Sequence, residues 1–272
     1  MSPQPGSQSG SAVIVDVDGA VATLTLNRPE RRNSFSDELV TDALSAVERL
    51  VEAPEVRVLV LTGAGDHFSV GGDLDSFAAG GFQQADTAAE TRARELASAG
   101  RLSLLLRESS LITIAAIRGA CAGAGLSIAA ACDFRVASAG AVFRTAFVDA
   151  GLSGDFGGTW LLTRLLGEAK AKELFFMNER VDAAESLRIG LVTRVFPDEE
   201  TLAGALILAE QLAAKPPVAL RALKANLTDT TTDLALALVA EARRNVACGR
   251  TDDAIEAATA FLEKRPAVFV GR

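Results

Sequence analysis

His67-Phe68-Ser69-Val70-Gly71-Gly72-Asp73-Leu74 and Arg118-Gly119-Ala120-Cys121-Ala122-Gly123-Ala124-Gly125-Leu126-Ser127 share one setting. Each glycine-rich stretch follows an apolar, strand-like run and precedes a helix-like one, so each is expected to present unpaired backbone N–H groups at a helix start. Two such donors aimed at one point would form a hole for a carbonyl oxygen that gains negative charge during a reaction. The strand, glycine loop and helix order, met twice, indicates an α/β core rather than a bundle or a sandwich.

Working outward, Ala12 to Asn27 alternates apolar and polar residues around Asp18-Gly19 and reads as a tight hairpin. A helix is expected over about Ser36 to Glu52 with Ser36 as its N-cap, then a strand at Arg57 to Thr62. The grammar returns with a helix over Ala88 to Arg107, a strand at Ile112 to Arg118, a helix over Gly123 to Ala131 and a strand at Asp133 to Ala137. Strand signals stop near residue 198. Helices are expected at Glu199 to Ala214, Val218 to Leu227, Asp233 to Cys248 and Asp252 to Glu263. The expected organisation is a flexible tail at 1–11, an α/β core at 12–197 and a helical region at 198–272 that packs on the core or on a neighbouring subunit.

Composition bounds the function. The 272 residues are 49% hydrophobic, enough for a sizeable core, and the net charge of −8 argues against general nucleic-acid binding. Three cysteines, Cys121, Cys132 and Cys248, lack zinc-site spacing and read as reduced thiols. His67 is the only histidine, so no histidine-based triad or metal site can be assembled, and its expected role is structural. Met1 to Ser11 has no signal-peptide pattern and no apolar run is long enough to span a bilayer, so a cytoplasmic protein without membrane insertion is expected. Glycines 119, 123 and 125 do not fit G-x-G-x-x-G, which makes a dinucleotide loop a poor reading.

At its two glycine patches the chain resembles the enoyl-CoA hydratase/isomerase family, the crotonase superfamily. The likeness also covers Asn27-Arg28-Pro29-Glu30-Arg31-Arg32-Asn33, Cys132-Asp133-Phe134, Gly151 to Thr159, Gly190-Leu191-Val192 and Phe261-Leu262-Glu263-Lys264-Arg265. The resemblance implies a spiral of strand-strand-helix units, an acyl-CoA thioester substrate, no separate cofactor, no metal, and a homotrimer or dimer of trimers. It places the thioester oxygen on the N–H groups of Gly72 and Ala124. Where the family usually has glycine, Ala124 is acceptable only if its φ suits an L-residue. Asp73 and Leu74 follow the first donor, and Asp73 is expected to fix that loop. Arg28, Arg31 and Arg32 match the loop that meets the phosphates of coenzyme A, and Phe261 and Lys264 match last-helix residues that approach it, often from another subunit. The same cluster read without the family is a solvated loop.

The family's hydratases use two glutamates. Ser127 and Phe147 stand at those two places here, so Ser127 reads as a small packing residue that can hydrogen-bond, and Phe147 as lining of an apolar acyl pocket. A different acid, Asp155 in Gly151-Leu152-Ser153-Gly154-Asp155-Phe156-Gly157-Gly158-Thr159-Trp160, matches the carboxylate of members that isomerise double bonds or act on an aromatic ring. It reads either as the N-cap of a helix entering at Gly157 or as an acid/base whose pKa is raised by Phe147, Phe156 and Trp160. Asp149, Glu108 and Glu179 are weaker acid candidates. The expected chemistry is enoyl-CoA isomerisation with one carboxylate and weak hydration. The alternatives are an aryl-CoA-acting enzyme, with Trp160 and the phenylalanines shaping an aromatic pocket, and a non-catalytic acyl-CoA-binding subunit.

Overall fold

The computed structural model describes residues 11–73 and 89–272. Leu74 and all of the expected tail but Ser11 lie outside the described residues. Strands β1 (Val13–Asp18) and β2 (Val21–Leu26) form the hairpin, with Val13 opposite Leu26 and Asp18 opposite Val21. Helix α1 (Asp37–Glu52) starts where Ser36 Oγ accepts the N–H of Leu39 at 3.2 Å. It buries Leu39, Ala43, Ala46, Val47 and Leu50, the face that a 3.6-residue period sets against a sheet. Strand β3 (Val58–Gly63) follows.

The single helix expected over Ala88 to Arg107 is two. Helix α2 (Ala89–Ala99) buries no described side chain, whereas α3 (Arg101–Glu108) buries Leu102, Ser103 and Leu106. They divide at Gly100, a poor helix-interior residue placed where the chain turns from solvent to core. Strand β4 (Ile112–Ile117) is buried at every residue, the continuous apolar run of a strand covered on both faces.

Next come β5 (Ala120–Ala122), α4 (Ala124–Ala131), β6 (Phe134–Ser138) and β7 (Val142–Arg144). Helices α5 (Gly158–Leu166) and α6 (Glu168–Met177), strand β8 (Val181–Asp182), helix α7 (Ala183–Arg188) and strand β9 (Arg194–Phe196) complete the mixed part. Four helices close the chain: α8 (Thr201–Ala213), α9 (Pro217–Thr228), α10 (Leu234–Gly249) and α11 (Asp252–Glu263).

The larger sheet has the order β1-β2-β3-β4-β6-β9 and is parallel from β2 onward. A smaller sheet of β5-β7-β8 lies beyond the C-terminal end of β4. Alternation splits the larger sheet's residues between two cores. Leu59, Leu61, Ala115 and Ile117 join one with α1, α3 and α4, and Val58, Val60, Ile114 and Ala116 join another with Ala205, Leu208 and Ala209 of α8. Helix α9 is fastened by buried Lys224, whose Nζ donates to the carbonyls of Leu106 at 2.9 Å and Leu111 at 2.6 Å and pairs with Asp133 at 2.8 Å.

Candidate active site

The two glycine patches are zipped together at the C-terminal end of the larger sheet. Ser69 N donates to Ala120 O at 3.1 Å and Ala122 N to Ser69 O at 2.9 Å, a parallel bridge between Ser69 and Cys121. Asn33 staples the preceding loop to them, its Nδ2 donating to Ala64 O at 2.9 Å and His67 O at 2.7 Å while its Oδ1 accepts from Arg28 N at 2.9 Å. His67 is structural, with Nδ1 accepting the N–H of Ala120 at 3.1 Å.

Gly71 has φ +93°, and a Cβ there would stand 2.9 Å from Ala122 O and 3.2 Å from Ala124 N. The Gly71-Gly72 backbone therefore rests directly on the corner that opens α4. At that corner Gly123, not Ala124, takes the positive φ, so alanine is accommodated. Ala124 begins the helix and its N–H has no acceptor within it. Among the described residues neither this N–H nor that of Gly72 donates to another main-chain group.

Gly72, Ala124, Phe147 and Asp155 line one cleft of about 720 Å³, together with Arg28 and Asp73 at one side. Asp155 is half-buried, and its Oδ1 is fully buried with no hydrogen-bond partner among the described residues. Burial pushes its carboxyl up to about 6. The N-cap alternative for Asp155 does not hold. Helix α5 begins at Gly158, its cap position is Gly157 at φ +74°, and no side chain caps it.

The turn that carries Asp155 is pinned instead by Ser103 of α3, whose Oγ donates to Phe156 O at 2.7 Å while Phe156 holds φ +46°. Phe156 packs against Phe35 with ring centroids 5.5 Å apart. Both rings line the same cleft as Asp155.

The other candidates fall into distinct places. Trp160 does not line the cleft, contrary to its expected parts in shaping the substrate pocket and in burying Asp155. It lies on the outward face of α5, 38% exposed, between the guanidinium of Arg164 at 3.5 Å and that of Arg107 at 4.9 Å from the ring centroid. Ser127 also stands outside the cleft wall. It is 1% exposed, donates to Gly123 O at 3.3 Å and sits so close to Gly158 that a Cβ there would meet Ser127 Oγ at 2.2 Å.

The arginine loop is engaged with the protein's own carboxylate. Asp73 accepts from Arg31 at 2.9 Å and Arg28 at 3.4 Å, and Arg32 is exposed. Phe261, 81% exposed, and Lys264, the left-handed cap of α11, do not line the cleft within this chain. Asp149 lines it but is exposed and paired with Arg144; Glu108 and Glu179 are exposed elsewhere.

Sequence reasoning missed Asp37 and Glu38, which reach the cleft from the first turn of α1, and Ser103, which no motif marks. Burial pushes the thiols of Cys121 and Cys132 upward, the latter to about 12, which leaves both inert as nucleophiles. Among the described residues no group of acids, cysteines and histidine could hold a metal, and no helix is long and apolar enough to cross a membrane.

Known proteins share this sequence pattern and fold. The family model described as enoyl-CoA hydratase/isomerase matches residues 16–272. A crotonyl-CoA hydratase of Syntrophomonas wolfei is 34% identical over 263 residues, covering 96% of this chain and 98% of the relative. A 1,2-epoxyphenylacetyl-CoA isomerase of Escherichia coli is 34% identical over 266 residues, with the same two coverages of 96% and 98%. The solved structure of an enoyl-CoA hydratase from Polaromonas sp. superposes with a TM-score of 0.88 at 34% identity, covering 95% of this chain and 99% of that one. By sequence over nearly its whole length and by fold, the chain belongs to the enoyl-CoA hydratase/isomerase family and is an acyl-CoA enzyme of the crotonase type.

Proposed function

We propose that the chain shifts the double bond of an enoyl-CoA, with Asp155 as the single acid/base and the N–H groups of Gly72 and Ala124 as the oxyanion donors. The observation that carries this reading is the state of Asp155. Of the carboxylates at the cleft, Asp73 and Asp149 are held by arginines and Asp37 and Glu38 are exposed, whereas Asp155 is partnerless at Oδ1 and pushed up to about 6. A carboxyl near 6 is largely ionised at neutral pH, yet basic enough to take a proton and return it.

For a 3-enoyl thioester, the Asp155 carboxylate removes a proton from C2. The electron pair moves onto the thioester oxygen, giving a dienolate held by the two N–H donors, and the same proton is delivered to C4 to leave the 2-enoyl isomer. Nothing is oxidised or reduced, so this reading needs no cofactor. Losing one oxyanion donor would cost about 3 to 4 kcal/mol of transition-state stabilisation. Ser127, sealed between α4 and α5, and Phe147 supply no second carboxylate for adding water.

Phe35, Phe147 and Phe156 at the cleft favour a second reading, an aryl or cyclic acyl group in place of a straight chain. The coenzyme A phosphates are assigned to the Arg28, Arg31 and Arg32 loop, with Phe261 and Lys264 approaching from a neighbouring copy. Helix α10 buries none of its residues and exposes Leu234, Leu236, Leu238 and Val239, which suits a homotrimer or a dimer of trimers. The three unpaired thiols suit the cytoplasm.

The test is a turnover screen across 2-enoyl, 3-enoyl and aryl CoA thioesters, wild type beside Asp155→Asn. Isomerisation abolished by Asp155→Asn is the expected result; equal rates in both proteins for every substrate would overturn the role of Asp155.

A further inference from the structure

Ala146, on the cleft wall beside Phe147, holds φ +64°. A left-handed alanine is strained by its Cβ, so something must hold it there. The holder is Asn178, at the end of α6. Its Oδ1 accepts the Ala146 N–H at 2.6 Å, and Thr145 Oγ1 lies 3.1 Å from the same oxygen. The Asn178 carbonyl in turn accepts Arg144 Nε at 2.8 Å. Phe147, 6% exposed, then stacks on Phe175 with centroids 6.2 Å apart and planes 19° apart.

Helix capping alone does not account for this asparagine. Asn178 is itself left-handed at φ +51°, a place that glycine fills more easily at a helix end. Glycine would also remove a buried Nδ2 that has no partner among the described residues, a destabilising state. What the side chain adds is the Oδ1 contact to Ala146.

We infer that Asn178 is a positioning residue for acyl-group selection: by holding Ala146 left-handed it fixes Phe147 as the wall that limits the size of the acyl group. This rests on the acyl-CoA reading of the cleft. The segment also touches the oxyanion corner, where Gly123 N donates to Arg144 O at 3.1 Å. Equilibrium binding therefore tests acyl size more cleanly than turnover does.

The experiment is calorimetric titration of the full chain with two unreactive saturated thioesters, butyryl-CoA and octanoyl-CoA. Asn178→Gly is expected to shift the affinity ratio toward octanoyl-CoA by about tenfold, and Phe147→Ala is expected to shift it in the same direction. Adding Ala146→Gly to Asn178→Gly is expected to restore the wild-type ratio, because glycine takes the left-handed conformation unaided. A role confined to the stability of α6 would not be rescued from residue 146.

Should Asn178→Gly fail to fold, Ala146→Val gives the second route. It leaves the α6 cap intact, cannot hold positive φ comfortably, and must shift the ratio likewise. An unchanged ratio in the folded Asn178 or Ala146 variants, or no rescue by the double variant, overturns the positioning role while leaving the acyl-CoA site standing. Failure of the wild type to bind either thioester overturns the acyl-CoA reading, and this inference with it.

Discussion

Replacing Asp155 by Asn is expected to cut isomerisation sharply and to gain stability relative to the wild type as pH rises. The native carboxyl is raised by burial from its ordinary 3.8 to about 6. Between those values the native state holds a proton that the unfolded chain has given up, so stability falls as pH rises through this window. The stabilising contribution is complete below about pH 4 and gone above about pH 6 to 7. Its full size is about 3 kcal/mol, and the partial exposure of Asp155 lowers that to about 2 kcal/mol.

Asparagine keeps the shape and removes the titration. Its buried amide carries a constant cost, so the diagnostic quantity is the change in the stability difference with pH. Urea unfolding of both proteins from pH 4 to pH 8 should show the variant gaining about 2 kcal/mol on the wild type across that span. Isomerase turnover should fall by about 10²-fold to 10⁴-fold in the same variant. Parallel stability curves for the two proteins would refute the claim that Asp155 is held ionisable at a cost to the fold.

The wild-type kcat for isomerisation should rise with pH through about 6 and then level, as the base loses its proton; a profile flat from pH 5 to pH 8 would contradict this. Gly71→Ala should cut kcat/KM by more than tenfold and lower stability by about 2 kcal/mol or more, since its Cβ would stand 2.9 Å from Ala122 O at φ +93°; initial-rate kinetics and urea unfolding check it. Ser127→Glu, which inserts a carboxylate against Gly158, should lose about 2 to 4 kcal/mol and gain no hydratase activity; hydration of a 2-enoyl-CoA followed in the ultraviolet is the readout. Lys224→Met should cost about 3 kcal/mol, measured by urea unfolding, because it takes the buried cation from Asp133, which keeps only its Thr113 hydrogen bonds, and the donor from the Leu111 carbonyl.

Much of the scaffold was legible because local chemistry and global fold agree. The alternation at Val13 to Leu26, the cap at Ser36 and the uninterrupted apolar run at Ile112 to Ile117 each state one structure. The small sheet was not legible, since β5, β7 and β8 have only three, three and two residues, too few to show a strand's alternation. Trp160 shows a different failure. Nearness in sequence to Asp155 suggested nearness in space, but Asp155 precedes the helix while Trp160 rides its outer face above Leu161 and Leu162.

The corner where the two glycine patches meet could be read because its glycines are required by backbone geometry. Ser103 and Asn178 could not, because a serine in a helix and an asparagine after one carry no pattern until the chain segments they hold are in place.

Helix α3 has only about two turns, and two attachments fall within them. At Leu106 its carbonyl takes Lys224 from α9, and one turn earlier Ser103 grips the turn that carries Asp155. At about 1.5 Å of rise per residue these attachments lie about 4 to 5 Å apart along the axis. The helix is therefore a short lever. A tilt that the closing helices impose on Leu106 has little length over which to dissipate before the turn that carries Asp155, so changes in C-terminal packing are expected to alter the position of Asp155.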